Sequence, residues 1–548
     1  MNMPSLQMGK NKSTVLFIFL TLFLLAFAKP IYGTTDDYIL NSWLNGSYSG
    51  INEKESIFIT SIFSNLISSI YNFFPNIAWY PIFLLLVTLA SVIKLNQFIN
   101  MNSEISKTLK YLNFVVLVAY LTWSIFGITY TATAIIAGVA GWVSIKDWLN
   151  NERKQTLIIA FIFVTLSIII RPESFLGATL IIYPFVLFKI KINKSKIFQI
   201  LLFSSLVLTV LLINRIIESS SSSEMKDYRD WAKKVQMFAG RPRMEAATKV
   251  IGNPGWTSSE YNLFVDLAYF DKNNFNTKWI NQGIEATDEI SNRPTINLQK
   301  IITITEEYIQ SLIFFGYILV LIFLIILLSI RKAKFRSIIL IIFLNFILIH
   351  IFSGLFLHNV SRVTIPFLVA LFFMLAQFVT FEFKNKFVVL PSFMTALFFA
   401  AFFVQQNNLN INKIKTAEEY RNSIVIGQKD KIVLIHGNQE YFQNSNPFLA
   451  VTKDPDPNVF MVGNWDTFSP QWFKRAKLVG LNENNLIDSL TNNSNVYWSG
   501  PEVPDTTLNL INYLKESGYG VFEPVKVGLL PNGNRIWNFA KSGVNSES

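Results

Sequence analysis

Apolar runs recur along most of the chain at about the length that crosses a bilayer, roughly twenty residues each. They fall at 13–32, 79–97, 111–128, 131–149, 155–171, 174–190, 197–214, 308–330, 337–356, 363–381 and 387–404. Each predicts a spanning helix, about eleven in all, because a backbone in hydrocarbon must satisfy its own hydrogen bonds. The pattern therefore predicts an α-helical polytopic membrane protein. Three stretches break the rhythm: 34–78, 215–305 and everything beyond 404.

The first break opens with Thr34-Thr35-Asp36-Asp37-Tyr38, two adjacent carboxylates just past the first apolar run. Farther on, Phe58, Ile62, Leu66 and Ile70 recur every fourth residue, with Ser, Thr and Asn on the other face. That spacing predicts a chargeless amphipathic helix over 57–74, ended by Pro75. Such a helix either lies in the membrane interface or serves as a re-entrant connector.

The second break, 215–305, is polar. Its serine run at 219–223 predicts a flexible start, and Gly252-Asn253-Pro254-Gly255 a turn. Tyr261, Phe264, Leu267 and Phe270 then suggest a short amphipathic helix accompanied by Glu260, Asp266 and Asp271. Aromatics beside carboxylates suit a sugar surface; a small packed loop domain is the simpler reading.

Beyond 404 the pattern changes again. A polar linker is predicted at 405–416, then a soluble α/β domain. Its strands are expected at 431–436, 459–463, 495–498, 520–530 and 535–539, and its helices at 470–479, 485–490 and 506–516. Pro531-Asn532-Gly533-Asn534 is a hairpin turn signal. The expected domains are thus 1–404 and 405–548.

Composition supports the membrane reading. Of 548 residues, 51% are hydrophobic and only 15% charged, against about a quarter charged in soluble proteins. The net charge of +11 would suggest nucleic acid in a soluble protein. Here it concentrates in alternate short loops, as in Lys107, Lys110, Lys189, Lys191, Lys194, Arg331 and Lys332. That is the positive-inside pattern, so no nucleic-acid partner is expected. It predicts a multi-pass protein of a bacterial cytoplasmic (inner) membrane, with its N-terminus in the cytoplasm. The 34–78 and 215–305 loops and the C-terminal domain are then extracytoplasmic. Ala26-Phe27-Ala28 resembles a signal cleavage site, but the long apolar core and Lys29-Pro30 favour a retained first span.

Cysteine is absent, and the three histidines, His350, His358 and His436, are far apart. No metal site is therefore predicted and no cofactor is implied, although the acidic pair leaves room for a divalent ion. Asp36 and Asp37 are the candidate catalytic residues: a carboxylate at a membrane boundary is costly to hold and can act as a general base. Arg171, at the end of an apolar run broken by Pro172, is a candidate phosphate ligand, with Glu173 positioned to orient it. Arg362, with His358 four residues before it, is a second. Both arginines have a plainer reading as snorkelling side chains, favoured for Arg215. His350, within an apolar run, reads as a packing residue. There is no Walker A, GxGxxG or HExxH motif. The scarcity of central charges argues against an ion-coupled transporter.

The order of parts, with Asp36-Asp37 after the first span, a helix at 57–74 and a large loop after the seventh run, resembles the GT-C superfamily of membrane glycosyltransferases. The likeness covers roughly 1–330 and is architectural. It implies an enzyme that moves a sugar from a polyprenyl-phosphate donor to a hydroxyl of a glycan, lipid or protein acceptor. It further implies inversion at the anomeric carbon, a base at Asp36 or Asp37, and lipid phosphate held by cations such as Arg171 and Arg362. Two other readings stay open. One is a polysaccharide polymerase or ligase using Arg362 and His358; the other is a flippase that moves a lipid-linked sugar without cleaving it.

Overall fold

The computed structural model describes residues 10–102, 105–187, 194–239, 243–252, 255–288, 339–342, 344–347, 361–377, 386–427, 431–437, 440–449, 458–482, 485–500, 506–530 and 534–541. The N-terminal part is a bundle of apolar helices: α1 (Lys10–Phe27), then α2 (Thr35–Leu44) and α3 (Ser61–Phe73), α4 (Trp79–Met101), α5 (Lys107–Phe126), α6 (Tyr130–Asn151), α7 (Lys154–Ile170), α8 (Pro172–Leu187) and α9 (Lys194–Ser219). Three helices among the described residues are long and apolar enough to cross a membrane: Trp79–Met101, Leu109–Phe126 and Ile197–Ser219. Shorter apolar helices accompany them, including Lys154–Ile170 and Ser361–Ala376. The predicted spans 308–330 and most of 337–356, with His350, lie outside the described residues.

Helix α6 is the axis of the bundle and is buried along nearly its whole length. Small residues let its neighbours close in. A Cβ on Gly138 would meet Ala178 Cβ and Ser167 Oγ, each at 2.9 Å. One on Gly141 would meet Val164 Cγ2 at 2.7 Å. Glycine therefore sets how closely α7 and α8 pack on α6, as small residues do between membrane helices. One charge pair is locked into this core: Lys94 Nζ lies 2.9 Å from Asp147 Oδ2, joining α4 to α6.

Two very short strands fix the loop after α1. β1 (Ile31–Tyr32) pairs in parallel with β2 (Gly127–Ile128). Gly33 N–H then donates to the Ile128 carbonyl at 2.7 Å. A side chain at Gly33 would strike the carbonyl oxygens of Ile128 and Gly127 at 3.0 and 3.1 Å. The chain therefore enters α2 directly against the start of α6.

The helix predicted over 57–74 forms as α3, Ser61–Phe73. The buried residues are Phe63, Ser64, Ile67, Ser68 and Tyr71, while Leu66, Phe73 and Phe74 are exposed. Its buried face mixes the apolar Phe63, Ile67 and Tyr71 with Ser64 and Ser68, and of the four-residue stripe only Leu66 is exposed.

Two predicted breaks are closed up. The serine run spans only a short turn between α9 and α10 (Ser223–Ala239). The polar linker at 405–416 is helical throughout. After α14 (Ser361–Ala376), α15 runs unbroken over Lys386–Gly427. No Gly or Pro interrupts it between Pro391 and Gly427. Asn410, Ala417 and Tyr420 are buried at helical spacing, and Asn410 Nδ2 donates to the Lys29 and Phe126 carbonyls. The expected linker is therefore a continuous helix, held by Asn410 within it and by Ala417 and Tyr420 just beyond it.

The 215–305 loop contributes α10, α11 (Arg243–Val250), α12 (Ser258–Val265) and α13 (Thr277–Ala286). They pack with the C-terminal residues in one aromatic core. Trp256 stacks on Trp279 at 3.5 Å, Trp231 meets Phe468 at 5.0 Å and Phe270 lies on Trp498 at 5.5 Å. Its carboxylates are structural: Glu260 completes the capping box of α12 with Thr257, and Asp271 accepts from Tyr513 and Tyr519 at 2.6 Å each.

The C-terminal part is an α/β unit. Its strands are β3 (Ile432–His436), β4 (Val459–Val462), β5 (Val496–Ser499), β6 (Phe522–Leu529) and β7 (Arg535–Lys541). In space they run β4-β3-β5-β7-β6, the first three parallel and the last two an antiparallel hairpin. Helices α16 (Glu440–Gln443), α17 (Pro470–Leu478), α18 (Leu486–Asn492) and α19 (Thr506–Glu516) connect them.

The buried Lys94–Asp147 pair yields a stability prediction. Lys94→Met leaves an unpaired carboxylate in the core and should cost about 3–5 kcal/mol, read as a lowered melting temperature in detergent. Adding Asp147→Leu should recover most of that loss; a double variant as unstable as the single one would show that the pair is not the cause.

Candidate active site

Thr34 is the N-cap of α2, in extended conformation, and its hydroxyl accepts from the Asp37 N–H at 3.3 Å. The same hydroxyl donates to Asp37 Oδ2 at 2.7 Å. Asp37 Oδ1 accepts from Tyr80 OH at 2.9 Å and from the Tyr130 backbone N–H at 3.0 Å. Asp37 is fully buried, and both oxygens are taken. One turn on, Asn41 donates to Tyr32 OH at 2.6 Å and accepts from Tyr71 OH at 2.7 Å. Tyr71 OH in turn accepts from the Tyr80 N–H at 3.1 Å. This network binds α2 to α3, α4 and the head of α6, so Asp37 is an anchor.

Asp36 is the next residue of the helix and points elsewhere, since successive helical side chains are rotated by about 100°. Its Oδ2 lies 3.3 Å from Arg362 Nη1, and the two side chains are 20% and 26% exposed. They are accessible without being freely solvated. Arg171 is near enough to stabilise the same carboxylate electrostatically. Arg171 is held in turn: Nη1 donates to Thr131 Oγ1 at 2.6 Å and to Tyr130 OH at 3.2 Å, and its guanidinium lies 5.1 Å from the Tyr130 ring centre.

The structure therefore brings Asp36, Arg171 and Arg362 together from three separate parts of the chain. Glu173 is less engaged. Its Oε2 lies 3.8 Å from Arg171 Nε on a side chain 78% exposed, a surface pair that orients weakly. Arg215 is 84% exposed and pairs with Glu218, apart from this cluster. His358 lies outside the described residues.

Sequence reading found no functional residue in the C-terminal part, yet that part reaches the site. Trp465, in the turn after β4, packs on Trp43 of α2 at 5.2 Å and on Phe58 at 4.6 Å. Thr35 donates to Gln443 Oε1 at 2.8 Å. No local motif marks Trp465; the signal lies only in tertiary packing.

Burial pushes both carboxyls above the ordinary aspartate range. For Asp36, burial outweighs the opposing pull of Arg362 and Arg171. For Asp37, burial raises the carboxyl to about 6 against the bonds from Thr34, the Tyr130 backbone and Tyr80. Among the described residues, no group of three or more His, Asp and Glu is placed to hold a metal ion.

No protein-family model matches the chain, and no curated protein matches it. Among solved structures the chain is similar to ArnT from Cupriavidus metallidurans in the apo state. The likeness covers 95% of this chain and 97% of that one, at 11% identity and a TM-score of 0.40. The same protein bound to undecaprenyl phosphate is similar over the same shares, at 10% identity and a TM-score of 0.39.

The raised carboxyl of Asp37 predicts a pH dependence of stability. Its folded value, about 6, exceeds the unfolded value of about 3.9. The folded state therefore binds more protons between these pH values. Stability falls as pH rises from about 4 to about 6, by about 3 kcal/mol, and is flat above. Melting of wild type against Asp37→Asn in detergent should show this limb in wild type and its loss in the variant. Parallel curves would show that Asp37 does not titrate in this window.

Proposed function

We propose that the protein is a membrane glycosyltransferase that moves a sugar from a polyprenyl-phosphate donor to an acceptor hydroxyl at the Asp36 site. The observation that carries this reading is the meeting of one half-buried carboxylate with two arginines beside a helical bundle whose outward surfaces are apolar. A carboxylate serves as general base, and guanidinium groups suit a phosphate. The apolar helices suit the lipid tail.

The chemistry balances within these groups. The acceptor oxygen attacks the anomeric carbon and its proton passes to Asp36. The bond from that carbon to the phosphate oxygen breaks on the opposite face, giving inversion. The leaving polyprenyl phosphate takes the electron pair and is stabilised by Arg171 and Arg362. The Asp36–Arg362 pair gives this arrangement an order. A phosphate drawn to Arg362 competes with Asp36 for that cation, leaving the carboxylate more basic when the donor is bound. Asp37, with both oxygens occupied, anchors the loop and is not the group that receives the acceptor's proton. The acceptor hydroxyl belongs to a glycan, a lipid or a protein, and the sugar is a hexose or a pentose.

Two substitutions test the assignment, both scored by release of free polyprenyl phosphate, which a flippase would not produce. Asp36→Asn should lower turnover by about 10²–10⁴-fold while leaving membrane insertion intact; turnover near wild type would remove Asp36 as the base. Arg171→Ala and Arg362→Ala should each weaken use of the lipid donor by about 10²-fold or more in kcat/KM, and unchanged donor kinetics in both would remove the phosphate role.

A further inference from the structure

Arg171 enters the acidic site with its backbone fixed. Its N–H donates to the Ser167 carbonyl at 2.9 Å, closing α7, and its carbonyl accepts from the Phe175 N–H at 3.2 Å, opening α8. Ser167 Oγ in turn donates to the Ala134 carbonyl of α6 at 2.6 Å, so the end of α7 is held on α6. The side chain is held on the same helix. Tyr130 and Thr131 open α6 and are 0% and 2% exposed. Their hydroxyls accept from Arg171 Nη1 at 3.2 and 2.6 Å, which occupies both hydrogens of that nitrogen. The guanidinium carbon also lies over the Tyr130 ring, 5.1 Å from its centre, a favourable place for a cation. Tyr130 links this cation to the anchor of the loop as well, because its backbone N–H donates to Asp37 Oδ1 at 3.0 Å. The head of α6 therefore positions both α2 and the guanidinium.

The other edge of Arg171 remains. Nε and Nη2 present parallel N–H groups, the fork that grips an oxyanion in two bonds. Among the described residues this edge makes no hydrogen bond. Its ion pair there is with Glu173, 3.8 Å from Nε and 78% exposed, a contact too long for a hydrogen bond and one that a phosphate can displace. We propose that Tyr130 and Thr131 are positioning residues for the donor phosphate: by occupying Nη1 they leave the Nε–Nη2 edge of Arg171 to hold that phosphate in two bonds. The inference rests on the phosphate role of Arg171 given above. Freed of these two partners, the guanidinium samples more rotamers, and that freedom is lost again each time the phosphate binds.

The test is the affinity of the full chain in detergent for polyprenyl phosphate, with the matching polyprenol, which has the tail and no phosphate, as reference. Thr131→Val keeps nearly the same shape and deletes the acceptor. It should weaken polyprenyl phosphate binding about 3–10-fold, leave polyprenol binding unchanged, and be rescued by Thr131→Ser. Wild-type affinity for the phosphate, or equal weakening of both lipids, overturns the proposal. The effect must also act through Arg171. Adding Thr131→Val to Arg171→Ala should weaken binding no further, and a further loss as large as that of the single variant overturns the proposal. If Thr131→Val does not fold, Tyr130→Phe, which keeps the ring and the backbone N–H, must give the same pattern; wild-type affinity there overturns it too. Arg171→Ala separates the two ideas. If it binds polyprenyl phosphate weakly while Thr131→Val binds like wild type, only the positioning role fails. If it binds like wild type, the phosphate role of Arg171 fails and the positioning role with it.

Discussion

The buried carboxylate of Asp37 is the constraint on which the site depends. It collects a hydroxyl from the cap of its own helix, a phenol from α4 and a backbone N–H from the head of α6. Burying a carboxylate is expensive unless its oxygens are bonded, and here each oxygen is. The cost is offset only when three segments distant in sequence come together, so the network favours one placement of α2. Asp36 inherits its position from that placement. The short β1–β2 pairing and the close approach at Gly33 bring α2 to the head of α6 in the first place.

Adjacent carboxylates in one helical turn thus divide the work. One is closed off and holds the loop; the other stands at a half-open face beside two arginines. The division follows from helical geometry. Residues next to each other on a helix face different neighbours, and only one of them can face the bundle. The arginines are differently held as well. Arg171 is braced by Thr131 and by the ring and hydroxyl of Tyr130, whereas Arg362 pairs directly with the carboxylate. One cation is thus fixed by its neighbours, and the other is tied to the carboxylate itself.

Much of this arrangement was legible in the sequence. The apolar runs at 79–97, 131–149 and 155–171 fall on α4, α6 and α7, and short apolar runs and one hairpin turn signal marked each strand of the C-terminal sheet within a few residues. Asp36, Arg171 and Arg362 each stood out as charges next to apolar runs, a local signal. What local pattern could not carry was partnership. Asp37 looks like its neighbour in sequence, and only the tertiary bonds separate them. The four-residue repeat marked α3 as a helix, but not that Tyr71 on it would reach Asn41 of α2. The segment 405–416 is polar in composition yet helical, because it lies within the long α15 and its buried Asn410 bonds the Lys29 and Phe126 carbonyls, contacts that composition hides. Trp465 was invisible for the same reason: its meaning lies in the helix it packs against, more than four hundred residues earlier.

The account reduces to one spatial claim, that Asp36 and the two arginines grip opposite sides of a single reacting centre. A structure of the protein with a non-cleavable polyprenyl-phosphate sugar analogue measures that directly. The account predicts the phosphate oxygens within about 3 Å of Arg171 and Arg362, and an acceptor position about 3 Å from Asp36 on the far side of the anomeric carbon. A donor phosphate bound away from both arginines, with no sugar beside Asp36, would contradict it.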